Sequence, residues 1–546
     1  MKNYLKWLFR WYVLLSILMT ILGGGLWTLY TYKFNDQWYR KLLLTHTVNI
    51  AKSIDPKLIN EFQGSGADYN NPRYHTLLTR LRMVRSIIPR CKYLYLMGRN
   101  ENKQVFFYID TQEDIEETPP AQPGDLYDDA SEELINCFDT GIPFVEGPLP
   151  DEWGVWVSAL VPIKDISQRK VIAVLGMDIE AKDWNLIVWE RTYPTLVFTL
   201  LIIGAILLSG IGFVLREKRK EKLGRFRFTE TILAFMVSIV FTLATVWFVS
   251  ERDQRQHSVI LDEVSRTTIG SLNEKLEDIR DVVIPSITSF FQNSDDVRQD
   301  EFYNFTNSFS KEMGSYLSFF WIPYIDKDDK EQFVREGAEI YKSDFQIWEL
   351  DKNGNNIPAR ERNFYFPIFY TSKNSDASMI GYDMNSNEKA RTVIQEAINT
   401  GRVSMVLSNE ITLFSQYPSS VFILFSPVIK NKELKGVIGL ILDMDSFIKV
   451  GLERLAQGFI YKPLYLDYFY ISNLEKIINI YSDHPQTSGT NALNELNVFN
   501  TDRLFFTVFI FQKLFGIVVQ PGDWKETKVI DDRIPAFILG LIASFA

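Results

Sequence analysis

Asp383 closes the run Tyr365–Asp383, YFPIFYTSKNSDASMIGYD, in which aromatic and β-branched residues stop at polar, turn-forming ones and resume at Met379. This pattern predicts strands walling a small pocket, Phe366 and Tyr370 among them, with a carboxylate at its rim or floor. A carboxylate in mostly apolar surroundings selects amino groups or protonated ring nitrogens, so the chemistry on offer is recognition. Asp383 could equally cap the helix that starts near Asn387 or Glu388, or satisfy buried amides. A second set of candidate ligand contacts lies earlier: Tyr93, Tyr95, Asp110, Trp153, Trp156 and Asp178. Alternating aromatics on a strand are more often core than cage, and no spacing in this set identifies a ligand.

Catalytic chemistry finds no residues to carry it. The four histidines, His46, His75, His257 and His484, are far apart in sequence and have no partner at metal-ligand spacing. There is no phosphate-binding glycine loop, no nucleotide lid and no nucleophile elbow. The expectation is a chain with no catalytic residues, no metal and no cofactor. Cys91 and Cys137 are the only cysteines, and the sequence leaves both a disulfide and two separate thiols open.

Three uncharged stretches must hold these residues in place: Trp11–Thr31, Tyr193–Leu215 and Thr231–Ser250. Each is about 30 Å long as a helix, enough to cross a bilayer. Gly23, Gly24 and Gly25 fall inside the first, where small residues permit close helix packing. Lys2, Lys6 and Arg10 precede the first stretch, and residues 216–228, REKRKEKLGRFRF, carry seven basic residues against two acidic. Basic segments stay in the cytoplasm. The reading is therefore a cytoplasmic N-terminus (1–10), a span at 11–31, an external domain at 33–192, a span at 193–215, a cytoplasmic loop at 216–228, a span at 229–250 and an external domain at 251–532. Residues 534–546, IPAFILGLIASFA, read as the start of a fourth span. The first span is too long for a signal peptide and lacks a cleavage site, so it is expected to remain as an anchor. The chain has a net charge of −10 although these cytoplasmic segments are basic, so its external domains are acidic. Nucleic acid is excluded as a partner on that ground, and a multi-pass position in the inner (plasma) membrane, both external domains periplasmic, is expected.

Within the first external domain, Asp36–Phe62 and Tyr74–Ile88 read as helices, the second with Leu77, Leu81, Val84 and Ile88 on one face. Strands are expected at Lys92–Met97, Gln104–Asp110, Trp153–Ile163 and Lys170–Ile179, with Thr111–Pro150 a long loop containing short helices. In the second domain, Ile269, Leu272, Leu276, Ile279 and Val283 form a heptad seam that Pro285 should bend or end. Asn387–Thr400 reads as a helix stopped by Gly401, and Val421–Ile429 and Gly436–Asp443 as central strands. Four more strands are expected at Leu464–Ile471, Lys476–Ser482, Leu504–Gln512 and Phe515–Pro521.

From Trp321 onward the chain resembles the CHASE domain, the extracytoplasmic sensory module of bacterial receptor kinases and cyclases and of plant cytokinin receptors. The resemblance rests on Trp321-Ile322-Pro323, Phe333, Gly337, Phe345, Ile347, Tyr365-Phe366-Pro367-Ile368, Gly381-Tyr382-Asp383, Ala397, Thr400-Gly401 and Ser426-Pro427-Val428, in order over about residues 251–530. It implies a long first helix carrying two PAS-like lobes and a parallel homodimer along the heptad seam. It also implies that Asp383 accepts hydrogen bonds from a ligand, with Leu407 near the strand whose backbone completes the contact. Phe425 stands where the plant receptors have a smaller polar residue. Helices followed by an interrupted sheet, with Gly176-Met177-Asp178-Ile179 just before a span, make the first domain similar to PAS-like or Cache sensors.

The expected fold class is an α+β multidomain membrane protein: transmembrane helices plus PAS-like antiparallel sheets. The expected function is the input half of a membrane receptor, in which a small molecule bound outside changes a cytoplasmic histidine kinase or diguanylate cyclase beyond residue 546. The alternative is a membrane-anchored binding or scaffold protein with no output of its own. Its expected partners are a small-molecule ligand, the lipid bilayer and a second copy of the chain.

Overall fold

The computed structural model describes residues 2–88, 90–112, 119–165, 170–218, 229–294, 296–314, 316–342, 344–372, 376–456, 464–472, 476–483, 503–511 and 513–522. Most of the basic loop, Lys220 included, lies outside this set, as do His484 and residues 534–546. Two compact units divide the chain between Asp262 and Glu263.

The first unit begins with α1 (Lys2–Ser53), one helix that carries the first uncharged stretch and continues past it. It ends short of the expected Phe62 because Asp55 and Pro56 start a separate turn, α2 (Pro56–Ile59). There the Asp55 carboxylate accepts from the Lys57 N–H, and proline supplies no donor to continue α1. Next, α3 (Pro72–Ile87) buries Leu77, Leu81 and Val84, the face its spacing predicts. The strands β1 (Cys91–Arg99) and β2 (Val105–Asp110) are followed by α4 (Glu132–Thr140), β3 (Phe144–Asp151), β4 (Gly154–Asp165) and β5 (Lys170–Glu180). They form one antiparallel sheet in the order β2-β1-β5-β4-β3. β3 is absent from the sequence reading because Gly147, Pro148 and Pro150 argue against a strand. At a sheet edge a missing N–H is tolerated, and β3 is an edge.

From Glu180 the chain passes without a loop into α5 (Ala181–Lys218). Trp11–Ser53 and Ala181–Ile211 are long and apolar enough to cross a membrane. Their helices meet through small and polar residues. A Cβ on Gly24 would fall 2.2 Å from Thr199, Thr195 donates to Thr28 at 3.2 Å, and Asn35 donates to Thr192 at 3.1 Å. The third uncharged stretch lies in α6 (Thr229–Asp278), which runs on into the second unit.

In that unit, a π-turn at Ile279–Val283 separates α6 from α7 (Ile284–Asn293). Pro285, the second residue of α7, has no N–H to give the preceding turn, which accounts for the break. All five seam residues are buried within the single chain, and the Gly451 backbone sits against Leu272. After α8 (Gln299–Met313) come β6 (Leu317–Pro323), β7 (Ile325–Asp326), α9 (Lys330–Tyr341), β8 (Trp348–Leu350), β9 (Asn356–Pro358), β10 (Phe364–Tyr365) and β11 (Tyr370–Thr371). They lead to α10 (Glu388–Thr400), β12 (Ser404–Leu407), β13 (Val421–Lys430) and β14 (Glu433–Asp443). The five-stranded antiparallel sheet has the order β11-β6-β14-β13-β12, with the two apolar runs at its centre as expected. Asn387 caps α10 and Gly401 ends it in the left-handed region at φ 66°. The last lobe follows α11 (Met444–Ala456) and contains β15 (Leu464–Ile471), β16 (Ile477–Ser482), β17 (Leu504–Ile510) and β18 (Lys513–Pro521), in the order β16-β15-β18-β17.

Tyr365–Asp383 does not form the extended walls its composition predicts. Only the two-residue strands β10 and β11 survive, joined to short helical turns, because Pro367 lacks a donor and Gly381 turns at φ 88°. The segment folds over the sheet face that holds Phe320, Ile322, Ile423 and Phe425, and α10 closes the same core.

Gly439 makes room in this core: a Cβ there would lie 2.0 Å from the Phe320 ring on the neighbouring strand. Gly439→Ala should therefore cost about 1–3 kcal/mol by overpacking, lowering the melting temperature by roughly 2–4 °C per kcal/mol. An unchanged melting temperature would mean that the ring moves aside without strain.

Candidate functional site

The sheet of the first unit brings most of the early candidates together. Successive residues of a strand point to opposite faces, so Tyr93, Tyr95 and Met97 share one face of β1. Across the ladder Tyr93 pairs with Asp178 of β5, Tyr95 with Gly176 on one side and with Asp110 on the other, and Asp178 with Ser158 of β4. Paired residues share a face, which places Asp110 and Asp178 beside the two tyrosines. Gly176 is glycine for a local reason: a Cβ would sit 2.1 Å from the Tyr95 ring, which lies over its backbone.

Tyr93, Tyr95, Met97, Phe107, Asp110, Gln112, Ala121, Tyr127, Asp151, Trp153 and Asp178 line a narrow crevice of about 30 Å³. Its aromatic walls are ordered by one another. Trp153 stacks on Tyr127 at 6.0 Å, and Phe107 meets Tyr95, Tyr127 and Trp153 edge-on at 5.8, 5.7 and 6.0 Å. Trp156 does not line the crevice. It packs edge-on against Tyr93 at 4.8 Å and donates its indole N–H to Asp151 at 2.8 Å, so it positions two residues that do. Sequence reasoning missed Asp151, Phe107 and Tyr127. The one available signal was Asp151 heading the tight turn before Gly154, a place where a carboxylate meets backbone donors.

The three carboxylates are held differently. Asp110 accepts from the backbone N–H groups of Gln112 and Ala121, both at 3.0 Å. Asp151 accepts through Oδ1 from Trp153 and Gly154 N–H at 2.9 Å each, as well as from Trp156. Asp178, only 5% exposed, accepts from the Tyr95 hydroxyl at 3.0 Å. Burial pushes its carboxyl up to about 7, against the opposing pull of hydrogen bonds from Ser158 and Tyr95. No lysine, arginine or histidine lies among the described residues of the lining. Arg82 and Arg85 instead donate to the carbonyl oxygens of Gln112 and Thr111, fixing the chain just after Asp110.

The candidates of the second unit are not gathered into one site. Asp383 is fully buried. Its Oδ1 accepts from the N–H groups of Phe366 at 2.8 Å and Asn385 at 3.1 Å, and its Oδ2 takes the Arg362 guanidinium at 3.2 Å. Arg362 also pairs with Glu349 at 2.6 Å, and Arg360 with Glu349 at 3.1 Å. Burial raises the Asp383 carboxyl while these donors oppose the rise. Of the alternatives open at the rim or floor, Asp383 satisfies buried amides: it ties Phe366 and the turn at Met384–Ser386 to a buried ion pair, and Asn387, not Asp383, caps α10. Phe366 and Phe425 belong to the hydrophobic core, Phe366 also lining an open groove of about 610 Å³ with Tyr324 and Phe364. Tyr370 pairs with Trp321 and Leu407 with Phe422, which puts both on the other face of the sheet. Cys91 and Cys137 are both free thiols.

The raised Asp178 carboxyl has a definite consequence for pH. An unfolded aspartate releases its proton near 3.8, whereas folded Asp178 holds it to about 7. The folded state therefore binds more protons between those values, and this group's contribution to stability falls as pH rises from about 4 to about 7. At about 1.4 kcal/mol per unit the loss is a few kcal/mol. Asp178→Asn, which cannot ionise, should gain melting temperature relative to the parent between pH 5 and pH 8. Parallel melting curves for the two proteins would show that Asp178 ionises without penalty.

Residues 295–476 match the family model of the CHASE domain. A germination-specific adenylate cyclase of Dictyostelium discoideum is 29% identical over 134 residues, 24% of this chain, and the chain spans 15% of that relative. Among solved structures, an extracellular ligand-binding receptor of Desulfohalobium retbaense aligns with a TM-score of 0.30 at 11% identity, covering 49% of this chain and 40% of that one. The ligand-binding domain of a Campylobacter jejuni chemoreceptor in complex with L-valine aligns with a TM-score of 0.27 at 14% identity, over 51% and 96% of the two chains. The family match encloses all the residues on which the resemblance to this family rests, from Trp321 to Val428, and residues 295–476 are accordingly a CHASE domain.

Proposed function

We propose that the chain is the sensory input of a membrane receptor and that its first unit recognises a small organic cation, an amine without a carboxylate. One observation carries this reading: Asp110, Asp151 and Asp178 converge on an aromatic-walled crevice whose described lining contains no basic side chain. Aromatic faces and carboxylates both attract an ammonium group. An α-amino acid would bring its own carboxylate into this field with nothing to receive it. The crevice is small, so a ligand of more than a few atoms enters by parting the stacked Tyr127 and Trp153.

The CHASE domain and the partial likeness to a cyclase support a signalling role. In this proposal both external domains lie on the periplasmic side of the inner membrane, the chain is not itself an enzyme, and the signal passes to a cytoplasmic kinase or cyclase. The heptad seam lends no support to a parallel homodimer, because its side chains are already buried within one chain.

Purified full-length chain, titrated with short alkylamines, their neutral alcohol counterparts and α-amino acids, tests the recognition. Amines should bind best, and Asp178→Asn should weaken them roughly ten- to a hundredfold, the worth of one charge-assisted hydrogen bond. Equal binding of alcohols, or amine binding indifferent to Asp178→Asn, would remove the crevice as the site. Topology is checked separately in intact cells. With the native cysteines replaced by serine, cysteines introduced at Asp125 and Asp376 should react with an impermeant thiol reagent, and one at Lys220 should not.

A further inference from the structure

The second unit contains another cleft, on the side of its five-stranded sheet away from the core built on Phe366 and Phe425. It has a volume of about 660 Å³ and is bounded by β6, β11, α9, the connection after α7 and the turn between β13 and β14. The edge pairing of Tyr370 with Trp321 sets both side chains on this face, while Phe320 and Ile322 turn to the core. Phe291 stacks on Trp321 at 4.1 Å, and Phe369 lies against Tyr370 at 4.6 Å, so the two polar-tipped rings are braced from behind.

Two features of this cleft suit a ligand. Trp321 and Tyr370 are 7% and 5% exposed, yet among the described residues neither the indole N–H nor the phenol O–H has a hydrogen-bond partner. Neither polar tip is sealed from solvent, so both are open to a ligand in the cleft. The charges are also uneven. Of the two lysines on the lining, Lys435 pairs with Glu433 at 2.9 Å and Lys430 donates to the Ser294 carbonyl at 2.9 Å. Asp296 and Glu336 have no ion pair among the described residues. Both carboxylates act on Tyr370, whose hydroxyl burial and negative surroundings push up to about 12, so it stays protonated at neutral pH.

We propose that this cleft is a second ligand site, separate from the crevice of the first unit, and that it binds an aromatic amine. The ammonium group lies between Asp296 and Glu336 beside the Tyr370 hydroxyl, and the ring packs against the open edge of Trp321. The cleft is large enough for such a ligand without rearrangement, since small-molecule sites begin at about 300 Å³. Phe291, Trp321, Phe333 and Tyr370 supply apolar edges for the ring. Three carboxylates, Asp296, Glu336 and Glu433, face Lys430 and Lys435 on the lining, so a ligand with a carboxylate in place of the amine meets a net negative field and binds less well. The argument uses no residue of the first unit and stands or falls independently of the proposal made for it.

The test uses the full chain carrying Asp178→Asn, reconstituted in lipid nanodiscs, with phenethylammonium as probe and 2-phenylethanol and phenylacetate as its neutral and anionic counterparts. Binding is followed by saturation-transfer NMR. Phenethylammonium should bind, 2-phenylethanol more weakly, and phenylacetate least. Glu336→Gln and Asp296→Asn should each weaken phenethylammonium roughly tenfold, and their combination further, with the melting temperature unchanged. Tyr370→Phe should also weaken it while leaving the order of the three probes intact. Absence of phenethylammonium binding, binding of phenylacetate as strong as that of the amine, or indifference to the double carboxylate variant would each overturn the assignment.

Discussion

A carboxylate leaves water only if something replaces the water, and each unit is built around one aspartate for which that has been done in a different way. Asp383 is wholly enclosed and receives two backbone N–H groups and a guanidinium, so its charge is cancelled inside the fold. Asp178 receives hydroxyl donors and no cation, and its proton becomes the substitute. The first solution produces a rigid fastening between Phe366, Asn385 and Arg362. The second leaves a group whose charge is unbalanced whenever the proton departs. An unbalanced buried charge is what a cationic ligand can exploit, and a cancelled one is not.

The same contrast explains how much of the molecule was legible. Period-two alternation at Tyr93, Tyr95 and Met97 and the aspartate of Gly176-Met177-Asp178-Ile179 were enough to assemble one wall of the crevice from sequence. β-strand ladders enforce alternation locally, so such patterns survive without knowledge of the fold. Asp151 and Tyr127 were missed because nothing local marks them: they reach the site through an edge strand broken by prolines and through a long connection. Asp383 was legible as a carboxylate in a special place, and satisfying buried amides was among the roles open to it, but its ion pair was not legible. Its partner Arg362 is 21 residues earlier, and only the folded chain shows that the guanidinium arrives.

The heptad seam from Ile269 to Val283 gives a related lesson about apolar periodicity. Spacing of three and four reports that one face of a helix is buried and says nothing about what covers it. Here the face is covered within the chain, with Gly451 admitting Leu272. The four-stranded lobe and the five-stranded sheet were legible at the level of strands for the opposite reason. Long apolar runs such as Val421–Ile429 and Gly436–Asp443 have few alternatives to the middle of a sheet.

The junction at Glu180 and Ala181 remains, where β5 becomes α5 without an intervening residue. A linker at that point would act as a shock absorber, spreading any displacement of the strand over many backbone conformations. A strand hydrogen-bonded on both sides and continuous with a helix has no such slack. The titratable group of the crevice is thus three residues from the start of a helix long enough to cross a bilayer, with no flexible segment between them.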